Sequence, residues 1–143
     1  MCGIWALIKA NPKLTYEIIN SFNSIEERGP DSSSIYLNKN IILGFHRLAI
    51  NDLSVYGNQP FYYSTKEFNY TLICNGEIYN HTDLQKEYNI NVSSTSDCAV
   101  LLPLFLKLNE NLDMSPDLIA VLKYICFRFS LGLIIVKNDG SFH

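Results

Sequence analysis

A cysteine stands at position 2, preceded only by Met1. Removing an initiator methionine before so small a residue would leave Cys2 with a thiol and a free α-amine on neighbouring atoms. An α-amine titrates near about 7.7–8.0 and can act as a general base close to neutrality. A nucleophile of this kind carries its own base and needs no Ser/His/Asp triad. Taken alone, Cys2 is more simply a small buried residue at the start of a strand, since free cysteine is commonly buried. The other cysteines, Cys74, Cys98 and Cys126, are scattered, with no CxxC pair. His46, His81 and His143 do not fall at metal-ligand spacing with them, so no metal and no cofactor is expected.

The elements that would position these groups can be read from hydrophobic pattern and turn chemistry. Cys2 to Ile8 is a short apolar run, predicted as a buried strand. Thr15 to Glu27 carries Ile18, Ile19, Phe22 and Ile25 on one helical face and is stopped by Arg28-Gly29-Pro30-Asp31. Ile41 to Ile50 and Tyr70 to Cys74 read as strands, with a polar loop from Asn51 to about Gln59. Asn75-Gly76 is a turn pair. Asn80 to Tyr88 reads as a short helix and Ser96 to Leu108 as a longer one, with Ser96 or Asp97 as N-cap. Ser115-Pro116-Asp117 starts another helix, continued by Leu118 to Ile125. Phe127 to Val136 is a strand, and Asn138-Asp139-Gly140 signals a hairpin whose return arm holds only Ser141, Phe142 and His143.

Composition narrows the field. The 143 residues fit one domain, and 48% are hydrophobic, which excludes a disordered chain. A net charge of −3 without basic runs gives no basis for nucleic-acid binding. Leu118 to Val136 is long enough to span a bilayer, but Lys123 and Arg128 interrupt it, so a buried helix plus strand is the better reading. The opening MCGIWALIKA lacks a basic n-region and a small-residue cleavage site and reads as a poor secretory signal, so free thiols in the cytoplasm are the expectation.

Six short pieces occur in order: Cys2-Gly3-Ile4, Arg28-Gly29-Pro30-Asp31, Phe45-His46-Arg47-Leu48-Ala49-Ile50, Asn58-Gln59-Pro60, Asn75-Gly76-Glu77-Ile78-Tyr79-Asn80 and Ser96-Asp97-Cys98. Together they resemble class II glutamine amidotransferases, and HRLAI, NQP, NGEIYNH and SDC resemble the asparagine synthetase branch. The resemblance implies an α+β fold, a four-layer αββα sandwich of N-terminal-nucleophile hydrolases, incomplete at the C-terminus. It implies that Cys2 attacks the side-chain amide of L-glutamine. Arg47 would hold the α-carboxylate, where arginine's planar fork is apt. Asn75, by its side chain, and Gly76, by its backbone N–H, would form the oxyanion hole. Glu77 and Asp97 would face the α-ammonium. Each has a plainer reading taken singly: a surface salt bridge for Arg47, a turn for Asn75-Gly76, capping or solvated charge for the two carboxylates.

The likeness is clear over residues 1–98 and weak over 99–143. No SGGxDS loop and no synthetase domain follow within the sequence. Residues 1–143 are therefore expected to be one glutamine amidotransferase domain, truncated relative to its family. It would either release ammonia or pass it to a separate synthetase chain. The alternative from another class is a non-catalytic remnant or binding module.

Overall fold

The computed structural model describes residues 1–8, 12–65, 69–109, 127–128 and 134–136. The expected helix over Leu118 to Ile125, the hairpin at Asn138-Asp139-Gly140 and Cys126 lie outside the described residues. The chain is α+β. Three strands, β1 (Gly3–Ile8), β2 (Ser32–Asn38) and β3 (Ile41–Arg47), form an antiparallel sheet in the order β1-β3-β2. A second antiparallel sheet pairs β4 (Phe61–Ser64) with β5 (Asn69–Ile73). A short ladder starts at β6 (Glu77–Ile78), which pairs with β7 (Phe127–Arg128); β8 (Ile134–Val136) returns to β5. The expected strand Phe127 to Val136 thus supplies two ladders from its two ends.

The central strand β3 is buried at all seven positions. Because side chains alternate along a strand, Ile41, Leu43, Phe45 and Arg47 share one face and Ile42, Gly44 and His46 the other. The second face receives α1 (Tyr16–Asn23), capped by Thr15, whose hydroxyl accepts the Ile18 N–H. Phe22 from this helix stacks on His46 at a centroid distance of 3.9 Å, and its carbonyl lies 3.0 Å from the imidazole Nε2. Ser33 Oγ lies 2.7 Å from the other ring nitrogen. His46 is thereby a structural residue.

The first face of β3 packs Ile41 and Leu43 against Ile73 of β5. On the opposite side of β5, Tyr70 and Leu72 join a core with Leu101, Leu102, Leu104 and Phe105 of α3 (Leu101–Asn109) and Leu84 of α2 (His81–Glu87). Helix α2 ends with Asn89 in the left-handed region, the Ile90 N–H reaching the Gln85 carbonyl and the Asn89 N–H the Lys86 carbonyl. This cap satisfies the last carbonyls and turns Ile90 into the core.

Several boundaries differ from the sequence reading, each for a local reason. Strand β3 stops at Arg47 rather than Ile50, since the next N–H groups leave the ladder for side chains. Leu48 N–H donates to Cys2 Sγ and Ala49 N–H to Asp31 Oδ2. The first helix is shorter and passes into a 3₁₀ turn at Glu26–Arg28. The segment after Ser96 begins as a 3₁₀ turn, Asp97–Val100, and neither expected cap forms there. Asp97 instead turns its carboxylate to the Ile78 N–H, 2.6 Å away. Strands β2 and β4 had no sequence counterpart, being serine-rich in one case and largely exposed in the other.

Two devices hold the ends of β1 and β3 and the loop beyond them. The Arg28-Gly29-Pro30-Asp31 segment lies against β3, with the Asp31 N–H on the Arg47 carbonyl at 2.9 Å. A Cβ on the buried Gly29 would collide with the His46 carbonyl. The loop 51–59 is pinned by the buried Asp52, whose carboxylate accepts the Ser54 N–H and hydroxyl, the Ser94 hydroxyl and the Thr95 N–H at 2.6–2.9 Å. The Ser54 and Ser94 hydroxyls, then the two backbone donors, hold this carboxyl well below the usual range despite its burial.

Gly29→Ala is expected to lower the unfolding free energy by about 1–3 kcal/mol, the usual range for overpacking, read as a reduced denaturation midpoint. For Asp52, the folded-state pKa is depressed, so its stabilisation is complete above the unfolded value of about 3.9 and disappears as pH falls through the folded value. Denaturant titrations should therefore find wild type more stable than Asp52→Asn by a constant margin above about pH 5, the margin closing below about pH 4.

Candidate functional site

The inner face of β3, its sequel at residues 48–52 and the segments 74–77 and 96–98 enclose a cavity of about 440 Å³. All six residues singled out in the sequence, Cys2, Arg47, Asn75, Gly76, Glu77 and Asp97, line it. They come from four places in the fold. Cys2 immediately precedes β1, Arg47 ends β3, and Asn75-Gly76 leads from β5 to Glu77 at the start of β6. Asp97 opens the turn before α3.

Cys2 is half-buried. Its sulfur accepts the Leu48 N–H at 3.3 Å and lies 3.6 Å from the Leu48 carbonyl. The Arg28 Nε–H donates to the Cys2 carbonyl at 3.4 Å. The thiol is thus fixed between the first and third strands, while Met1 stands exposed at the cavity wall.

Arg47 is 6% exposed. Its Nη1 donates to the Ser54 carbonyl and the Asn58 Oδ1, each at 2.7 Å, and its Nη2 donates to the Asp52 carbonyl. The loop 51–59 therefore wraps around the guanidinium. Gly57 is part of that wrap: a Cβ there would collide with Arg47 Nη2. Among the described residues the acceptors of this side chain are backbone and amide oxygens rather than the partner of a surface salt bridge.

The Asn75-Gly76 segment is held from both sides. Gln59, buried, accepts the Cys74 N–H on its Oε1 at 2.6 Å, just before Asn75. Cys98 Sγ lies 3.5 Å from the Gly76 carbonyl, just after it. Asp97 is 6% exposed, with the Ile78 N–H on Oδ2 and the Asn51 Nδ2 on Oδ1 at 3.1 Å. Glu77 is exposed, and its Oε2 accepts the Tyr79 hydroxyl at 3.4 Å. Of the two carboxylates, Asp97 is buried among its donors and Glu77 is exposed.

Three thiols line this cavity, Cys2, Cys74 and Cys98. Cys74 and Cys98 are buried. Contact with Cys74 and then burial push the Cys98 thiol far above the usual cysteine range, keeping it protonated. Among the described residues no group of three His, Cys, Asp or Glu could hold a metal ion. No helix among them is long and apolar enough to cross a membrane. The stretch Leu118 to Val136 lies largely outside the described residues.

The sequence reading missed the residues that hold the site: Asn51, Asp52 and Gln59. Asp52-Leu53-Ser54 does carry a local signal, since an Asp accepting the N–H two residues on is an Asx turn. Gln59 belongs to a quoted motif, but its partner, the Cys74 N–H, lies 15 residues away in sequence. Nothing at position 51 signals its contact with Asp97.

Comparison with known proteins places the chain in a family. Residues 1–116 match the family model described as the glutamine amidotransferase domain. A glutamine-hydrolysing asparagine synthetase named in Acanthamoeba polyphaga mimivirus is 42% identical over 111 residues, covering 73% of this chain and 20% of that protein. One named in Methanocaldococcus jannaschii is 33% identical over 156 aligned positions, 97% of this chain and 30% of that protein. The Gallus gallus asparagine synthetase is 38% identical over 109 residues, 73% of this chain and 19% of that protein. The chain spans less than a third of the length of these relatives. With the family model covering most of its length and identities of this size, the chain belongs to the glutamine amidotransferase domain family, in its asparagine synthetase type.

Proposed function

We propose that this chain hydrolyses L-glutamine to glutamate and ammonia through a thioester on Cys2, the glutaminase half-reaction of an asparagine synthetase. The observation that carries the reading is the convergence of Cys2, Arg47, Asn75, Gly76, Glu77 and Asp97 on one cavity. Its volume of about 440 Å³ falls in the range that encloses small ligands. The names of the relatives, glutamine-hydrolysing enzymes, support the same substrate.

The steps follow from the groups. Removal of Met1 exposes the α-amine of Cys2. That amine takes the thiol proton, and the sulfur attacks the glutamine side-chain carbonyl. Negative charge develops on the former carbonyl oxygen, where the Asn75 amide and the Gly76 N–H are the donors. The ammonium formed on Cys2 returns its proton to the departing nitrogen, and ammonia leaves. Water, deprotonated by the same amine, cleaves the thioester, releasing glutamate and restoring the thiol. Arg47 takes the α-carboxylate. A guanidinium has five N–H donors, so the loop and the substrate can be served together. Asp97 and Glu77 take the α-ammonium; a carboxylate has about four acceptor sites, so Asp97 can keep its protein donors.

In this reading residues 1–143 are a single amidotransferase domain of the N-terminal-nucleophile kind, working in the cytoplasm without metal or cofactor. Packing of α1 on one sheet and α3 on the other supports a four-layer αββα order. The ammonia is released or handed to a separate synthetase chain.

The test is ammonia release from L-glutamine by the Met1-cleaved chain, with intact mass verifying cleavage. Activity is expected in wild type and none above background in Cys2→Ala. A folded, cleaved chain without activity would assign the cavity to binding alone. Asn75→Ala is expected to lower kcat by about 10²–10³-fold with little change in KM. Gly57→Ala, which pushes the Arg47 guanidinium aside, should instead raise KM for glutamine by about tenfold with a smaller effect on kcat.

A further inference from the structure

The dipeptide Asn51-Asp52 sits between the two groups that would hold the charged ends of an amino acid. On one side the Asp52 carbonyl accepts from Arg47 Nη2. On the other, the Asp52 carboxylate accepts from the Ser94 hydroxyl at 2.7 Å and the Thr95 N–H at 2.9 Å. The Asn51 carbonyl accepts the Thr95 hydroxyl at 3.4 Å, and the Asn51 side-chain NH₂ donates to Asp97 Oδ1 at 3.1 Å. A carboxylate held by one donor can still rotate about its Cβ–Cγ bond. On Asp97, Oδ2 accepts the Ile78 N–H and, at 3.9 Å, the Cys98 thiol, while Oδ1 has the Asn51 amide as its donor, so the orientation of the remaining lone pairs is fixed from both oxygens. Asn51 itself is exposed and lines the cavity, so its side chain has little packing role to lose.

We propose that Asn51 is a positioning residue for the ammonium end of the substrate, aiming the Asp97 carboxylate and so making the site select for an α-amino group. The inference rests on the proposed glutamine site and adds to it a residue that touches Asp97 rather than the reacting atoms. It separates two kinds of loss. A residue that merely supported the loop would weaken every ligand of the cavity equally. A residue acting through Asp97 weakens only ligands that carry the ammonium.

The experiment measures binding by calorimetry in the full chain carrying Cys2→Ala, which leaves the cavity without its nucleophile. The probes are L-glutamine and glutaramate, the same molecule with hydrogen in place of the α-amino group. Asn51→Leu and Asn51→Ala are each added, the first near in size and the second smaller, so that one misfolded variant does not decide the outcome. Both are expected to bind glutamine about tenfold more weakly and glutaramate within about twofold of the parent, because only the ammonium ligand depends on how the Asp97 carboxylate is aimed, and a hydrogen bond to a charged group is worth about that much. Equal weakening for both probes, or no change for glutamine, would overturn the role of Asn51 and leave the glutamine site standing. A folded parent that binds neither probe would overturn the glutamine site and this inference with it.

Discussion

A guanidinium buried at the end of a strand has to be surrounded by acceptors, and Arg47 shapes its neighbourhood through that demand. Burying a charge without partners is strongly unfavourable. The acceptors come from the Asp52 and Ser54 carbonyls and the Asn58 side chain, all within one loop. That loop turns Leu53, Val55 and Tyr56 outward and draws little support from the core. Polar bonds hold it instead, through Asp52 to Ser94 and Thr95 and through Gln59 to the Cys74 N–H. The cavity walls are thus one connected network, in which each bond gains from the others being made.

This division explains how far the sequence could be read. β3 was legible because a strand buried on both faces is a continuous apolar run, and α1 because Ile18 and Phe22 repeat at helical spacing. β2 was not, since its serines and half-exposed alternation give an edge strand a weak pattern. The six cavity residues were legible through the resemblance of their motifs; their types suit the chemistry, but their convergence depends on the fold. Asn51, Asp52 and Gln59 stayed hidden for a different reason. A side chain whose role is to satisfy a backbone group across the fold carries no local mark of its partner.

Three cysteines facing one cavity would be ambiguous on composition alone, and their surroundings separate them. Cys98 lies buried beside Cys74, where the thiolate is unfavourable. Cys2 is the half-buried one, its sulfur facing a backbone N–H rather than another thiol. The buried pair also serves packing, as both belong to the core shared with α2 and α3. One face of the segment 74–76 is therefore bound into apolar core while its other face borders the cavity. In the proposed reaction, that setting would keep the Gly76 backbone donor aimed without reorganising.

The alternation along β3 carries a consequence for how such a chain can change in length. Arg47 faces the cavity and His46 the helix because the two differ by one position in a strand of period two. Only the two residues Lys39 and Asn40 separate β2 from β3. Inserting or deleting one residue inside β3 would exchange the two faces beyond that point. Imidazole would then point where guanidinium is needed, and the charged group would be driven against Phe22. Indels are thus tolerable in the surface loops but filtered out of this strand by parity, so lineages descended from this chain should keep the spacing from Ile41 to Arg47 even where the residues themselves drift.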